Sequence, residues 1–403
     1  MVSVGIDVSK GKSMMAAVSA SNEIIMQPQE FLHTQDGLKK ATTAILALGS
    51  NVRVVMEATG HYHQPVAQAL YNAKIFVSVV NPLLIHAFGD NTVRRVKTDK
   101  KDAIKIANYA AYNSANLQAY IPPAIARNQL KMFSRQYNLC IKTVHSLENN
   151  LMSLLDKTFP GVTKFFSSQK KKNGQQKWVD FAAEFWHSDI VAEMGANDFE
   201  NAYQNWCKHN HYQFSTDKAQ QLYFHSVGQA TTLRNEPSTQ ILVVSAATQV
   251  RALSATLASL RQQLIYLSAL LPEYQTARGL FGVGEVTAAQ LIAELGDVRR
   301  FRSGRALAAY AGIDPLPQQS GTYEKKSTKT SKRGAPQLRK TLFQIVVTHL
   351  RHSPQSEPIY QFINRKRTEG KPYFVYMTAA ANKFLRIYYA KVLDYFRNEA
   401  MHI

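Results

Sequence analysis

Four carboxylates carry the chemistry that this sequence could perform. Asp7 closes an alternating run in which Val2, Val4 and Ile6 interleave with Ser3, Gly5 and Asp7, and Glu57 follows the apolar run VRVVM at 52–56. Asp99 and Asp102 stand three residues apart at the start of a helical pattern, hence on one face of one turn. In a mixed α/β sheet, neighbouring strand ends can set the first two side by side. Four such groups cannot all stay ionised without compensation. Hard divalent cations are the usual compensation, and paired Mg²⁺ ions about 3.5–4 Å apart catalyse phosphoryl transfer by holding the attacking and leaving oxygens. Arg94, Arg95, Lys97, Lys100 and Lys101 flank the second pair and suit phosphates approaching such metals. Each acid alone has a plainer reading: Asp99 as a helix N-terminal acid, Glu57 as a solvent contact at a strand end. Their joint order is what points to a metal site.

The elements that must position these acids are legible as patterns. Strands are expected at 2–7, 14–18, 24–31, 52–56 and 75–80, with helices at 34–47, 65–73 and from Asp99 to about Ala111. Three opening strands followed by alternating helix and strand read as an α/β domain with a mixed sheet covered by helices. After Pro122 the period changes. Leu130, Phe133, Tyr137, Cys140, Val144, Leu147, Leu151 and Leu154 step by three and four, as do Val250, Leu253, Leu257, Leu260, Leu264, Leu267 and Leu271. Two sustained heptad runs read as a coiled-coil arm, with two amphipathic bundle helices as the alternative. Between them, 160–240 reads as a helical insertion whose stretch QKKKNGQQK (169–177) is an exposed basic loop. The expected division is 1–118, 119–159, 160–240, 241–272 and an all-α region at 273–403.

Composition sets the partner class. The 403 residues hold 48 Lys+Arg against 28 Asp+Glu, a net charge of +20, which points to a polyanion. The surplus is local. Residues 1–60 balance five positives against five negatives, whereas 91–110 carry six against two and 321–340 seven against one. No uninterrupted apolar run approaches the ~18 residues of a membrane span. Two cysteines, Cys140 and Cys207, and an N-terminus unlike a signal peptide fit a reducing cytoplasm.

The motifs GIDVSK (5–10), MEATGHY (56–62) and KTDKKDA (97–103) resemble the three acidic motifs of the DEDD transposases of bacterial insertion sequences, the insertion sequence 110 family. The resemblance covers the first ~115 and the last ~130 residues. It implies a RuvC-type, RNase H-like catalytic domain in which Asp7, Glu57, Asp99 and Asp102 bind the metal, Mg²⁺, two ions per site. GIDVSKGK alone would also suit an actin-like sugar kinase, but no second phosphate loop follows.

The same family places Gly-x-x-Pro, Ser-Gly, Ser-Lys-Arg-Gly and Leu-Arg in succession, here Gly312–Pro315, Ser320-Gly321, Ser331–Gly334 and Leu338-Arg339. The resemblance marks Ser320 as a nucleophile that attacks a DNA phosphate and forms a transient phosphoserine. Ser327 and Ser331 are its rivals, and from the residues alone this is a basic loop with solubilising serines. A serine hydroxyl needs activation, and Ser320 has no histidine close in sequence, so the acidic metal site would supply it, across a subunit interface. Lys325, Lys326, Lys329, Lys332, Arg333 and Arg339 would hold flanking phosphates. Upstream, Gly282-Val-Gly284 before a helix has a helix-hairpin-helix layout that offers backbone N–H groups to a phosphate, or is a tight turn with no ligand.

The expected function is therefore DNA strand cleavage, exchange and religation by an insertion-sequence recombinase. The resemblance further implies donor and target DNA, a noncoding bridge RNA, and a homo-oligomer between dimer and tetramer. Two alternatives stay open: a metal-dependent Holliday-junction resolvase-like endonuclease using water, and a non-catalytic nucleic-acid-binding protein. Cys207, His209 and His211 match no common zinc spacing. His61 and His63 read as exposed loop histidines. Tyr373, Phe374, Tyr376, Tyr388 and Tyr389, among Lys371, Lys383 and Arg386, read as helix packing rather than base stacking.

Overall fold

The computed structural model describes residues 1–89, 98–122, 124–167, 169–315, 319–320, 323–324 and 330–401. The chain divides into two compact units, Met1–Pro123 and Ala124–Ile403.

The first unit is built on β1 (Val2–Val8), β2 (Lys12–Val18), β3 (Ile24–Leu32), β4 (Val52–Glu57) and β5 (Phe76–Val80). The strand order is β3-β2-β1-β4-β5, with β1–β2 and β2–β3 antiparallel and β1–β4 and β4–β5 parallel. This is the mixed sheet of an RNase H-like domain. Between these strands run α1 (Gln35–Leu46) and α2 (His63–Asn72), and after β5 come α3 (Pro82–Gly89) and α4 (Asp99–Tyr112). Thr34 caps α1 by accepting from the Gly37 N–H, and Thr98 caps α4 by accepting from Lys101.

Side-chain alternation divides the sheet into two faces. Val4, Ile6 and Val8 of β1 and Val54 and Met56 of β4 pack with Ala41 and Ile45 of α1 and Val66 and Leu70 of α2. Met14, Ala16 and Val55 pack on the opposite face, where Ala103, Ile106 and Ala110 of α4 lie. Because both faces are covered, β4 is apolar and buried from Val54 to Met56, with Arg53 half-buried and set over the Phe76 ring.

Among its described residues, the second unit is helical apart from one short hairpin and a bridge between Pro315 and Thr330. Its frame is α5 (Ile125–Thr158); α6 (Lys177–Glu184), α7 (Ser188–Met194), α8 (Ala196–His209) and α9 (Thr216–Ser226) follow, and α10 (Pro237–Ala269) returns. Leu130 and Tyr137 share a core with Leu264 and Leu271, while Leu151 and Leu155 share another with Val243 and Val250, so α5 and α10 run antiparallel. The buried line along α5 is Leu130, Ser134, Tyr137, Val144, Glu148, Leu151 and Leu155. The expected Phe133, Leu147 and Leu154 sit beside that line, half-buried. The apolar stripe is wider than a two-helix seam because helices at both ends also lean on it.

Aromatic side chains from α6, α8 and the loop after α8 fill the core at one end of this pair, with Phe181, Phe185, Phe199, Tyr203 and Trp206 in mutual ring contact. At the other end come α11 (Tyr274–Arg278), α12 (Glu285–Leu295), α13 (Gly304–Ala311), the hairpin β6 (Gln319–Ser320) and β7 (Tyr323–Glu324), α14 (Pro336–His352), α15 (Pro358–Thr368) and α16 (Tyr373–Met401). Arg127 near the start of α5 forks onto the buried Glu273 carboxylate, with Nη2 3.0 Å from Oε2. Tyr388 is fully buried in this core and Tyr389 gives its hydroxyl to the Phe301 carbonyl at 2.7 Å, consistent with packing, whereas Phe374 is 75% exposed.

The α10 helix holds an 18-residue window of mean hydropathy 1.5, so by length and composition it could cross a membrane. Ser, Thr, Gln and Arg251 interrupt its apolar residues, and Val243, Ala247, Val250 and Leu264 bury one side of it in the helical cores.

Candidate active site

The acids are assembled by strand register. Ile6 of β1 lies opposite Met56 of β4 in the parallel ladder, so Asp7 and Glu57 are the next residues along two adjacent strands. Asp7 lies two residues beyond Gly5, and Glu57 two beyond Val55, so both belong to the face that carries α4. Both are half-buried.

Gly5 is what lets α4 approach. A Cβ built there would lie 2.2 Å from the Ala107 nitrogen and 2.3 Å from the Ala103 carbonyl oxygen, so helix backbone rests directly on strand backbone. The first turn of α4, with Asp99 exposed and Asp102 half-buried, precedes Ala103 at that crossing. Asp99 also acts on Lys12 at the start of β2: that ammonium is held above its ordinary pKa, first by its 2.7 Å bond to Glu30 and in lesser part by Asp99. The donor set is wholly carboxylate oxygen, which suits a hard divalent cation. Among the described residues, no three His, Cys, Asp or Glu side chains stand close enough together to hold a metal.

Lys100 and Lys101 are exposed on the first turn of α4. Arg94, Arg95 and Lys97 lie outside the described residues. His63, expected in an exposed loop, is instead half-buried at the first turn of α2, and burial pulls its pKa below the ordinary value. Its position six residues after Glu57 was the only signal available.

The serine stands on a hairpin. Ser320 pairs with Tyr323 and Gln319 with Glu324, so Ser320 is the last residue of β6 and its register is fixed against β7. Its side chain, Gly321, Lys325, Lys326, Lys329 and Ser327 are outside the described residues. The root of the loop is closed by several bonds. Pro315 bridges Thr330, the Ser331 N–H donates to the Asp314 carbonyl at 3.0 Å, and the Ser331 hydroxyl donates to the Asp314 carboxylate at 2.5 Å. Below that, Gly312 and Gly334 touch: a Cβ on Gly334 would lie 2.1 Å from the Tyr310 oxygen and 2.3 Å from the Gly312 nitrogen. Gly312 itself has a φ of +67°. Arg339 brackets this contact, its Nη1 donating to the Ala311 and Gly334 carbonyls, each at 3.0 Å. Lys332 and Arg333 are exposed beside it. Asp314 and the Gly312–Gly334 contact are features that sequence reasoning noted as motif landmarks at most. Only their pairing across the loop reveals their use.

Gly282 and Gly284 form the turn into α12. Gly282 has a φ of +81° and lies against the His349 ring, 3.1 Å from where a Cβ would stand, while Gly284 is the N-cap of α12 and faces open space. Glu285, the first residue of α12, faces Arg278 at 3.6 Å and Arg261 at 3.9 Å. Cys207 is buried, the His209 ring is hydrogen-bonded to the Asn205 carbonyl, and the group forms no metal cluster.

Comparison with known proteins places the chain in a family. Residues 4–160 match the DEDD transposase model of the IS110 type, and residues 274–361 match the transposase model of the IS116/IS110/IS902 family. The pilin gene-inverting protein of Moraxella lacunata is 24% identical over 96% of this chain and 95% of its own length. The insertion element IS110 protein of Streptomyces coelicolor is 27% identical over 38% of this chain and 37% of its own. A solved structure of T. thermophilus RuvC in complex with Holliday junction substrate covers 29% of this chain and 96% of that one, at 13% identity and a TM-score of 0.23. With its acidic strand ends beneath α4 in one matched segment and its serine hairpin in the other, the chain belongs to the IS116/IS110/IS902 family of transposases, enzymes that act on DNA.

Proposed function

We propose that this transposase breaks and rejoins DNA strands through a covalent link to Ser320, with Asp7, Glu57, Asp99 and Asp102 as the metal-holding group. The observation that carries the reading is the register of Asp7 beside Glu57 on the face covered by α4. Two Mg²⁺ ions held by these carboxylates would supply charge stabilisation to the attacking and leaving oxygens of a phosphoryl transfer. The Ser320 oxygen attacks phosphorus and loses its proton to solvent or base. An O–P bond forms as the P–O bond to the departing strand breaks, and that strand leaves as a hydroxyl. A hydroxyl of the new partner strand then attacks the phosphoserine and returns the serine.

Ser331 stays a rival nucleophile, since its hydroxyl is given to the Asp314 carboxylate, which could serve as its base. Arg94, Arg95, Lys97, Lys100 and Lys101 would hold phosphate near the acids. Lys325, Lys326, Lys329, Lys332 and Arg333 would do so near the serine, joined by the N–H groups at Gly282 and Gly284. Arg339 would contribute only what its bonds to two carbonyls leave over. The family resemblance extends the reading to donor and target DNA, a guiding noncoding RNA, a cytoplasmic site of action, and subunits paired through a coiled-coil use of α5 and α10. The division into a RuvC-type domain, an arm with its insertion and a serine-bearing domain belongs to the same reading. Near full-length similarity to pilin gene-inverting proteins favours one variant, in which the same strand chemistry inverts a DNA segment.

The test is a trapped protein–DNA adduct mapped to its residue. Ser320→Ala should abolish both adduct and recombination, and Asp7→Ala should abolish cleavage. Cleavage that survives Ser320→Ala would establish the water-using endonuclease instead. An adduct on Ser327 or Ser331 would refute the assignment of Ser320, and full activity in Asp7→Ala would refute the metal site.

A further inference from the structure

A concentration of positive charge lies outside the sites described above. Residues 299–305 read RRFRSGR, and the four arginines are all exposed. They run from the short 3-10 turn Val298–Arg300 into the first turn of α13. The helix α16 packs against this segment. Tyr389 gives its hydroxyl to the Phe301 carbonyl at 2.7 Å, and the exposed Arg386 runs its stem past Gly304, with Cγ 3.4 Å from where a Cβ would stand. One packed junction therefore carries the guanidinium groups of Arg299, Arg300, Arg302, Arg305 and Arg386.

Little on the protein offsets that charge. Arg299 donates from Nη2 to Oδ2 of Asp297 at 2.7 Å, and among the described residues this is the one ion pair the five arginines make. Asp394, further along α16, faces Arg397 at 3.6 Å instead. Arg299 also lies 4.4 Å from the centre of the Phe396 ring, and Arg300 lies 4.5 Å and 4.7 Å from the Phe301 and Tyr310 rings. Arg300 donates to the Leu295 carbonyl at 3.1 Å, which orients it without neutralising it. The guanidinium groups of Arg302, Arg305 and Arg386 make no hydrogen bond or ion pair among the described residues. Like charges held on one junction repel, and a bound polyanion relieves that repulsion.

The character of the surface selects the polyanion. Phe301, Tyr310 and Phe396 are half-buried against guanidinium groups, so the junction offers no open ring on which an unpaired base could stack. Arginines without such a platform hold phosphates and leave bases unread, which fits the outside of a duplex. The eight residues of α13 run about 12 Å from this junction to Gly312 at the root of the serine hairpin, the length of about three or four base-pair steps. We propose that Arg300, Arg302, Arg305 and Arg386 grip the backbone of double-stranded DNA close to the serine hairpin, whatever its base sequence. The proposal rests on the family's action on DNA and holds whether or not Ser320 is the nucleophile.

Filter binding of the full chain to short duplex DNA of arbitrary sequence, without divalent cations, reads binding apart from cleavage. Arg302→Gln, Arg305→Gln and Arg386→Gln should each make the plot of log affinity against log salt shallower by about 0.9, and the triple variant by about 2–3. The loss should be equal for duplexes of different sequence. Melting temperatures should hold, since these side chains are exposed and bond to nothing on the protein. Lys39→Gln, at an exposed lysine of α1, should leave the slope as it is. An unaltered slope in the triple variant, or an equal change in Lys39→Gln, would overturn the proposal. A slope that changes with RNA and not with duplex DNA would overturn it too, and would assign the junction to RNA. Slope changes as expected in a protein that forms no adduct on Ser320 would count against the serine reading alone.

Discussion

Two of the places where glycine lets backbone meet backbone differ in what stands behind them. At Gly5 a four-turn helix lies on a five-stranded sheet, and the acids inherit their positions from ladder register and helix packing. At Gly312 and Gly334 two loop segments pinch together, held by Arg339 and the Asp314–Ser331 bonds, and the serine hairpin inherits its position from those few groups. The first arrangement is set by a whole layer of the fold. The second is set by local bonds at the root of a loop, so its geometry can be lost without unfolding the domain.

The largest expected effect tests the first arrangement. Gly5→Val should push α4 off β1, cost about 3 kcal/mol or more by overpacking, and unfold or loosen the whole α/β unit. Urea denaturation should show it as a lower midpoint, together with lost cleavage. Gly334→Ala should cost less, about 2 kcal/mol, because a loop root can shift where a sheet cannot. Its signature should be a near-normal denaturation midpoint for the α/β unit with little adduct on Ser320. Should Gly334→Ala unfold the protein as Gly5→Val does, the contrast between layer and loop would be wrong.

Smaller again, Arg339→Gln removes donors from two carbonyls and should cost about 1–2 kcal/mol. Adduct formation should slow while DNA affinity, measured by filter binding, changes little. A matching loss of affinity would show that Arg339 serves chiefly as a phosphate ligand.

The smallest effect is a pH dependence. Burial lowers the pKa of His33 and His63 in the α/β unit and of His349 in the helical unit. At His349 the Ile345 carbonyl and Glu357 oppose that shift in part. Below the ordinary value of 6.5 the unfolded chain binds protons that the folded chain resists. Stability should thus be level above about pH 6.5 and decline as pH falls through that value. Thermal melts from pH 8 to 5 should show the slope, and His349→Asn should flatten the share that belongs to the helical unit.

Much of the acidic site was legible beforehand because local rules govern its parts. Alternation placed Asp7 at a strand end, a buried-strand pattern placed Glu57, and Thr98 with Asp99 and Asp102 marked a capped helix start. The helix α3 was missed because its eight residues are too few to establish a period. The basic stretch at 169–177 is a loop exposed at Gln169, Lys170, Lys172 and Asn173, as expected, but Lys171 turns inward. Composition reports how many lysines a loop has, but not that Lys171 finds two carbonyls and a ring in a neighbouring helix end.

By itself, the sequence determined the element types, the order of the four acids, the heptad spacing and the clustering of positive charge, since these depend on residues near one another in the chain. Tertiary structure alone decided that Asp7 and Glu57 are neighbours on one face, that Gly5 is the point of contact for α4, and that Arg339 braces a loop root. The physical reason is common to all three. Register, close approach and hydrogen-bond satisfaction join residues tens of positions apart, and only the packed fold chooses among the partners that local chemistry allows.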